Sequence, residues 1–185
     1  HNISQIILAG KVERSPLKGL FFSWYGLKLM FRIMRNGISD DAIFTTITKF
    51  IEDNGFEVLS YEEIMAESKV SHGTITNVSP GAATLEFIEK GWCKLKGIAE
   101  MDIGQAMVIQ EDLALGVEAA EGTNELIKRC YNLGHQSKKG KILLKMVKPS
   151  QNLKVDIPCI GEDTIALLAK HGYAGVVIEA HKVIL

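Results

Sequence analysis

The chain has 185 residues, of which 46% are hydrophobic, enough to bury a core in one large domain or two small ones. Its 21 lysines and arginines offset 22 aspartates and glutamates to a formal charge of -1, which excludes bulk electrostatic attraction to nucleic acid or to an anionic membrane, and no nucleic-acid partner is expected. Cys93, Cys130 and Cys159 lie far apart without CxxC spacing. That argues against a zinc site or a disulfide framework and suits a reducing compartment, with cytoplasm the expected location.

No apolar run approaches the roughly 20 residues of a membrane-spanning helix, since Gly19 to Met34 is broken by Ser23, Gly26, Lys28 and Arg32. No basic leader precedes the first apolar run, so a signal peptide is not expected. His1 opens into Ile6-Ile7-Leu8-Ala9 and the chain stops at Val183-Ile184-Leu185, so both ends read as cut.

Gln5 to Ala9 reads as a buried strand, followed by the basic loop Lys11 to Pro16 at the end of an α/β strand where ligands bind; a plain solvated loop is the simpler reading. Leu20 to Met34 carries Phe21, Phe22, Trp24, Tyr25 and Phe31 beside Lys28, Arg32 and Arg35. A core helix is expected there, with a lipid-facing interfacial helix as the alternative. Ser39 is placed to cap a second helix, with Asp40 and Asp41 in its first turn, Ile43, Phe44, Ile47, Phe50 and Ile51 on one face, and Gly55 beyond its end. Phe56 to Leu59 is expected as a strand, and Ser60 with Glu63 as a capping box. Alternating strand and helix define an α/β domain.

The polar stretch Ser68 to Gly81, with Gly73, Pro80 and Gly81, is the expected boundary, and His72 within it reads as a surface histidine. Beyond it Ala82 to Glu100 is expected as a helix with Leu85, Ile88, Trp92 and Leu95 inward. Ala106 to Gln110 and Leu113 to Glu118 form a hairpin around Glu111-Asp112. Thr123 is expected to N-cap a helix through Leu126, Ile127 and Cys130. A strand at Ile142 to Met146, a helix at Glu162 to Lys170 and a strand at Val176 to Ile178 complete the chain.

The chemistry concentrates in MDIGQAMVIQEDLALGVEAAEGT (Met101 to Thr123) and KMVKPSQNLKVDIPCIG (Lys145 to Gly161). A strand running into a helix N-terminus at Gly122-Thr123 aims backbone N–H groups at one spot, suited to phosphate. Lys145 and Lys148 bring two cations near Pro149, although Lys145 could simply lie on an exposed strand face. Asp156, flanked by Val155 and Ile157, requires compensation if buried or is held out for a ligand. Together Asp102, Glu118, Glu121 and Asp156 would bind a divalent cation through oxygen, with the lysines facing the phosphates it bridges. Asp102 could equally cap the Gly104 turn, and Glu121 could be a helix-dipole partner. Glu111 and Asp112 are turn residues, and Glu125 with Arg129 an i,i+4 pair.

These residues also resemble a known family. AGKV at Ala9 to Val12 with Arg14 and Pro16, DDA at Asp40 to Ala42 and VSPG at Val78 to Gly81 lead to MDIGQAMVI, LGVEAAEGTNELI, KMVKPSQ, KVDIPCIGEDTI and HGYAGVVIEA. DIGQ, EAxEGT, KPxQ and VDxPxIG in that order are jointly specific, and the chain resembles the LpxI-type UDP-2,3-diacylglucosamine pyrophosphatases of bacterial lipid A biosynthesis nearly end to end.

The resemblance implies a two-domain α/β protein: residues 1–70 as the remainder of a partial Rossmann-like N-terminal domain, 71–81 as linker, and 82–185 as a mixed α/β catalytic domain. Family members carry a strand and a glycine-rich loop before the position of His1 and continue past Leu185. It further implies Mg²⁺-dependent hydrolysis, with Mn²⁺ able to substitute, of UDP-2,3-diacylglucosamine to UMP and 2,3-diacylglucosamine 1-phosphate (lipid X), water attacking the sugar-side phosphorus. The family's essential aspartate falls on Asp156, as metal ligand or water-orienting base. Asp102, Glu118 and Glu121 become supporting metal acids, and Lys11, Arg14, Gln105, Gly122, Thr123, Lys145 and Lys148 contacts to substrate or phosphate. Peripheral contact with the inner membrane is expected as well, with a homodimer as one option; Phe21, Phe22 and Trp24 are candidates for part of an acyl groove or its rim, behind the core reading. The alternatives are a binding protein that holds the lipid-linked sugar nucleotide without hydrolysing it, and an inactive fragment of the enzyme.

Overall fold

The computed structural model describes residues 3–8, 23–37, 40–60, 70–134, 139–149, 151 and 157–185. The chain divides into two compact units, His1–Glu67 with Gln151–Ile157, and Ser68–Ser150 with Pro158–Leu185. Both are built of helices and strands, so the chain is a two-unit α/β protein. The expected Ser39 cap and Ser60–Glu63 capping box involve residues outside the described ones.

In the first unit strand β1 (Gln5–Ile6) pairs in parallel with β2 (Glu57–Val58), and between them run helices α1 (Trp24–Asn36) and α2 (Asp40–Glu52). The Ser23 hydroxyl accepts from the Gly26 N–H at 2.9 Å and starts α1. Gly37, at φ 114°, ends it by donating its N–H to the Ile33 carbonyl. The core reading of α1 does not hold for its described aromatics. Gly26 and Ile33, seven residues apart, share the buried face. Trp24 and Phe31, also seven apart, share the opposite one and are 69% and 70% exposed.

On α2 the expected apolar face is only half-buried, and the most buried positions are Thr46 and Thr48. Threonine tolerates those sites because its hydroxyl is satisfied: Thr48 donates to the Phe44 carbonyl at 2.9 Å, and Thr46 accepts from Asn36 at 3.2 Å.

The second unit is layered. Helix α3 (Ala82–Glu100) leads into a hairpin of β3 (Ala106–Gln110) and β4 (Leu113–Val117), turned at Glu111 with φ 54°. Then follow helix α4 (Thr123–Tyr131), strand β5 (Ile142–Lys145), helix α5 (Glu162–Lys170) and strand β6 (Gly175–Ile178). The sheet order is β4-β3-β5-β6, antiparallel except for β5 and β6, which α5 joins as a parallel crossover.

Side chains alternate across the sheet. Ala106, Val108 and Leu143 meet Leu126, Ile127, Cys130 and Leu168 of α4 and α5. Met107, Ile109, Ile142 and Leu144 meet Leu95 and Ala99 of α3. Because both faces are covered, every residue of β3 and β5 is buried. Ile88, Trp92 and Leu95 of α3 turn inward as expected, but Leu85 stays 47% exposed because the contact with the sheet begins a turn later. Gly91 sets how close α3 lies: a β-carbon there would stand 2.8 Å from Leu144 Cδ1 and 3.1 Å from Ile109 Cδ1.

Candidate functional site

The register brings the candidate residues of the second unit to one end of its sheet. Ala106 at the start of β3 pairs with Lys145 at the end of β5, and accepts the Glu118 N–H at 2.8 Å just past the end of β4. Glu118, Ala106 and Lys145 thus stand side by side on the face covered by α4. Ala106 is small, so the longer chains on either side can lean over it toward Thr123 at the first position of α4. Lys145 Nζ donates to Thr123 Oγ1 at 3.0 Å, and Thr123 Oγ1 donates to Glu118 Oε1 at 2.7 Å. A second N–H of Lys145 goes to the Cys159 carbonyl at 3.0 Å.

Lys145 and Glu118 are each only 7% exposed. The exposed-face reading of Lys145 is therefore overturned: β6 flanks it, and Thr123 and the Cys159 carbonyl cover its ammonium. A buried ammonium and carboxylate joined through one hydroxyl satisfy most of each other's hydrogen-bonding needs. Among the described residues, Glu118 Oε2 is buried with no hydrogen-bond partner.

Two glycines permit this corner. A β-carbon on Gly104 would lie 1.9 Å from the Glu118 carbonyl oxygen, so the two backbones can pass only because residue 104 has no side chain. Gly122 takes φ 83° and is the N-cap of α4, with no side-chain cap bond. This corrects the expectation that Thr123 caps the helix: Thr123 is its first residue and spends its hydroxyl on Glu118 and Lys145. The helix N-terminus carries partial positive charge at this end of the sheet.

The other acids are engaged elsewhere. Asp102, at φ 57°, accepts from Lys148 at 2.7 Å. Glu121 accepts from Arg129 at 2.8 Å and from the Ala119 N–H at 3.1 Å. Backbone N–H groups first, and then Arg129, hold the Glu121 carboxyl below the usual carboxylate range. Arg129 also donates to the Val117 carbonyl, so the expected Glu125–Arg129 pair is replaced by Glu125–Lys128 at 2.6 Å. Gln105 gives its carbonyl to the Met146 N–H, while its buried Oε1 has no partner among the described residues. Asp156, Lys11 and Arg14 lie outside the described residues.

Sequence reasoning missed three contributors: the Cys159 carbonyl, the spacer Ala106 and the close approach at Gly104. Only the last left a signal, a glycine directly ahead of an apolar strand. Among the described residues no three histidine, cysteine or acidic side chains form a group able to hold a metal ion. No helix among them is long and apolar enough to cross a membrane.

Fold and site define an α/β protein that gathers charged groups at the end of its sheet where β4 and β5 finish and β3 begins. Residues 71–185 match the LpxI C-terminal domain and residues 1–68 the LpxI N-terminal domain, and the chain belongs to the LpxI family. It is 34% identical over 187 aligned positions to UDP-2,3-diacylglucosamine pyrophosphatase LpxI of Caulobacter vibrioides, an alignment covering 97% of this chain and 66% of that protein. The chain thus spans just under two thirds of the length of that relative.

Proposed function

We propose that the chain carries the catalytic part of an enzyme that hydrolyses the diphosphate of UDP-2,3-diacylglucosamine to UMP and 2,3-diacylglucosamine 1-phosphate. The substrate is inferred from the relative's named activity. The chemistry rests on one observation: the buried Lys145–Thr123–Glu118 chain at a helix N-terminus, with one carboxylate oxygen left unpartnered among the described residues.

In the reaction a water oxygen bonds to the sugar-side phosphorus, the bond from that phosphorus to the bridging oxygen breaks, and UMP leaves with the bridging oxygen. Charge on the phosphoryl oxygens is met by the ammonium of Lys145 and by the N-terminus of α4 at Gly122 and Thr123. Lys148, oriented by Asp102, adds a second ammonium. Asp156, which precedes Cys159 by three positions in sequence, orients the attacking water and takes its proton.

Magnesium commonly uses only one or two protein carboxylates and fills its remaining positions with water and substrate oxygens. The orphan Oε2 of Glu118 fits that demand, and Glu118 would be one ligand of the ion. When bound, it would neutralise charge on the diphosphate. Asp102 and Glu121 serve instead to position Lys148 and Arg129. Lys11 and Arg14 contribute phosphate contacts. Because the substrate bears acyl chains, the chain meets the inner membrane peripherally.

The test is release of UMP from UDP-2,3-diacylglucosamine with Mg²⁺ and with chelator. Metal-dependent release that Asp156→Asn lowers at least ~100-fold is expected. Turnover untouched by Asp156→Asn overturns the assignment of that residue, and substrate binding without product makes the chain a binding module.

A further inference from the structure

The outer face of α1 combines two features that the whole-chain totals conceal. Trp24, Leu27, Phe31 and Met34 fall within one arc of the helix and are 44–72% exposed. Next to that arc stand Lys28, Arg32 and Arg35, all exposed, and the 13 residues of α1 contain no acid. A chain of net charge -1 therefore carries a local surplus of three positive charges on one helix.

The cations sit against aromatic rings: Lys28 Nζ lies 5.7 Å from the Trp24 ring centre, and the Arg32 guanidinium 5.4 Å from that of Phe50. Phe31 also lines a cleft of about 350 Å³ between α1 and α2, whose charged residues are Arg32, Arg35, Lys49 and Asp53. Arg32 is paired with Asp53, which leaves the cleft net positive. An apolar, aromatic arc bordered by lysine and arginine, with a basic cleft at its edge, matches the layering of a lipid surface: acyl chains below, headgroup phosphates at the rim. A second copy of the chain fits poorly, because a two-fold pairing of this face would set cation on cation.

We infer that α1 docks on an anionic phospholipid surface, with Trp24, Leu27, Phe31 and Met34 entering the interface and Lys28, Arg35 and the α1–α2 cleft receiving headgroup phosphates. This gives the peripheral contact proposed above its surface and rests on that reading only in expecting the chain to meet a bilayer.

The test is co-sedimentation of the chain with vesicles of phosphatidylcholine, with and without phosphatidylglycerol, and no sugar nucleotide present. Failure of the docking is thereby separate from failure of catalysis. Binding is expected only to the phosphatidylglycerol vesicles and is expected to weaken with salt. Lys28→Glu with Arg35→Glu should reduce it at least ~10-fold. Trp24→Ser with Phe31→Ser should do the same while leaving the melting temperature unchanged.

Three results overturn the inference. One is equal sedimentation of the chain and its variants, or of the two vesicle types. Another is a chain that self-associates until Trp24→Ser and Phe31→Ser disperse it, which assigns the face to a second copy. The third is a lowered melting temperature in that double variant, which shows the face covered by protein.

Discussion

The two units handle apolar side chains in opposite ways. In the second, β3 and β5 lie between α3 on one side and α4 with α5 on the other, so a continuous apolar run such as Ile142-Leu143-Leu144 is buried throughout. In the first, α1 is as rich in large apolar residues, yet among its described positions only Gly26 and Ile33 are buried. Hydrophobicity alone does not say which side chains are inside. Coverage does, and coverage depends on how many faces an element has packed.

The comparison can be broken most severely at Gly104. Any side chain there collides with the Glu118 backbone, and backbone cannot yield as a flexible side chain can. Gly104→Val is expected to cost about 3 kcal/mol or more in urea unfolding and to abolish any activity that depends on Glu118. Next comes Leu144→Ala. Its side chain is fully buried between α3 and the sheet, and truncation should cost about 2–5 kcal/mol. A loss under 1 kcal/mol would mean that the double coverage is not what stabilises this unit.

Thr123→Val sharpens the contrast at the site. It keeps the shape and removes the hydroxyl that joins Lys145 to Glu118, leaving two buried charges short of a partner, at a cost of about 1–3 kcal/mol. Thr123→Ser should restore most of the loss. If valine is as stable as threonine, the hydroxyl bridge is not a structural element of this corner.

Much of this was readable from residue order, and the exceptions share a cause. The bounds of α3, β3 and α5 follow from apolar period and from the glycines Gly81 and Gly161 that precede two of them. Gly122, Thr123, Glu118 and Lys145 could be chosen as chemistry-bearing, but their connection could not. That required the pairing of Ala106 with Lys145, a property of strand register that no local pattern encodes. The exposure of Trp24 and Phe31 was hidden for a related reason. A helical period shows which residues share a face, and Gly26 with Ile33 share one as well as Trp24 with Phe31 do.

Tyr173 provides a pH-dependent test within the covered unit. Its hydroxyl donates to the Ile127 carbonyl at 2.9 Å, and burial pushes its pKa well above the ordinary tyrosine value. Burial also raises the Cys130 thiol. Both are neutral in the fold and ionise more readily when unfolded. Their contribution is therefore complete below the unfolded pKa values and falls as pH rises through and beyond them. Stability should decline above about pH 9. Tyr173→Phe should cost about 1 kcal/mol at neutral pH and flatten that decline. An unchanged alkaline slope would mean that Tyr173 does not set it.

The smallest effect is expected one residue apart from a large one. Ile33 is 4% exposed and Met34 is 72% exposed, a difference produced by a single step of about 100° around α1. Ile33→Ala should cost about 2 kcal/mol or more in thermal or urea unfolding, whereas Met34→Ser should stay within about 0.5 kcal/mol of the parent chain. The serine variant exchanges an exposed thioether for an exposed hydroxyl and leaves no cavity, so stability has nothing to lose there. A Met34→Ser loss approaching that of Ile33→Ala would mean that α1 is packed on both sides, and the contrast between the two units would vanish with it.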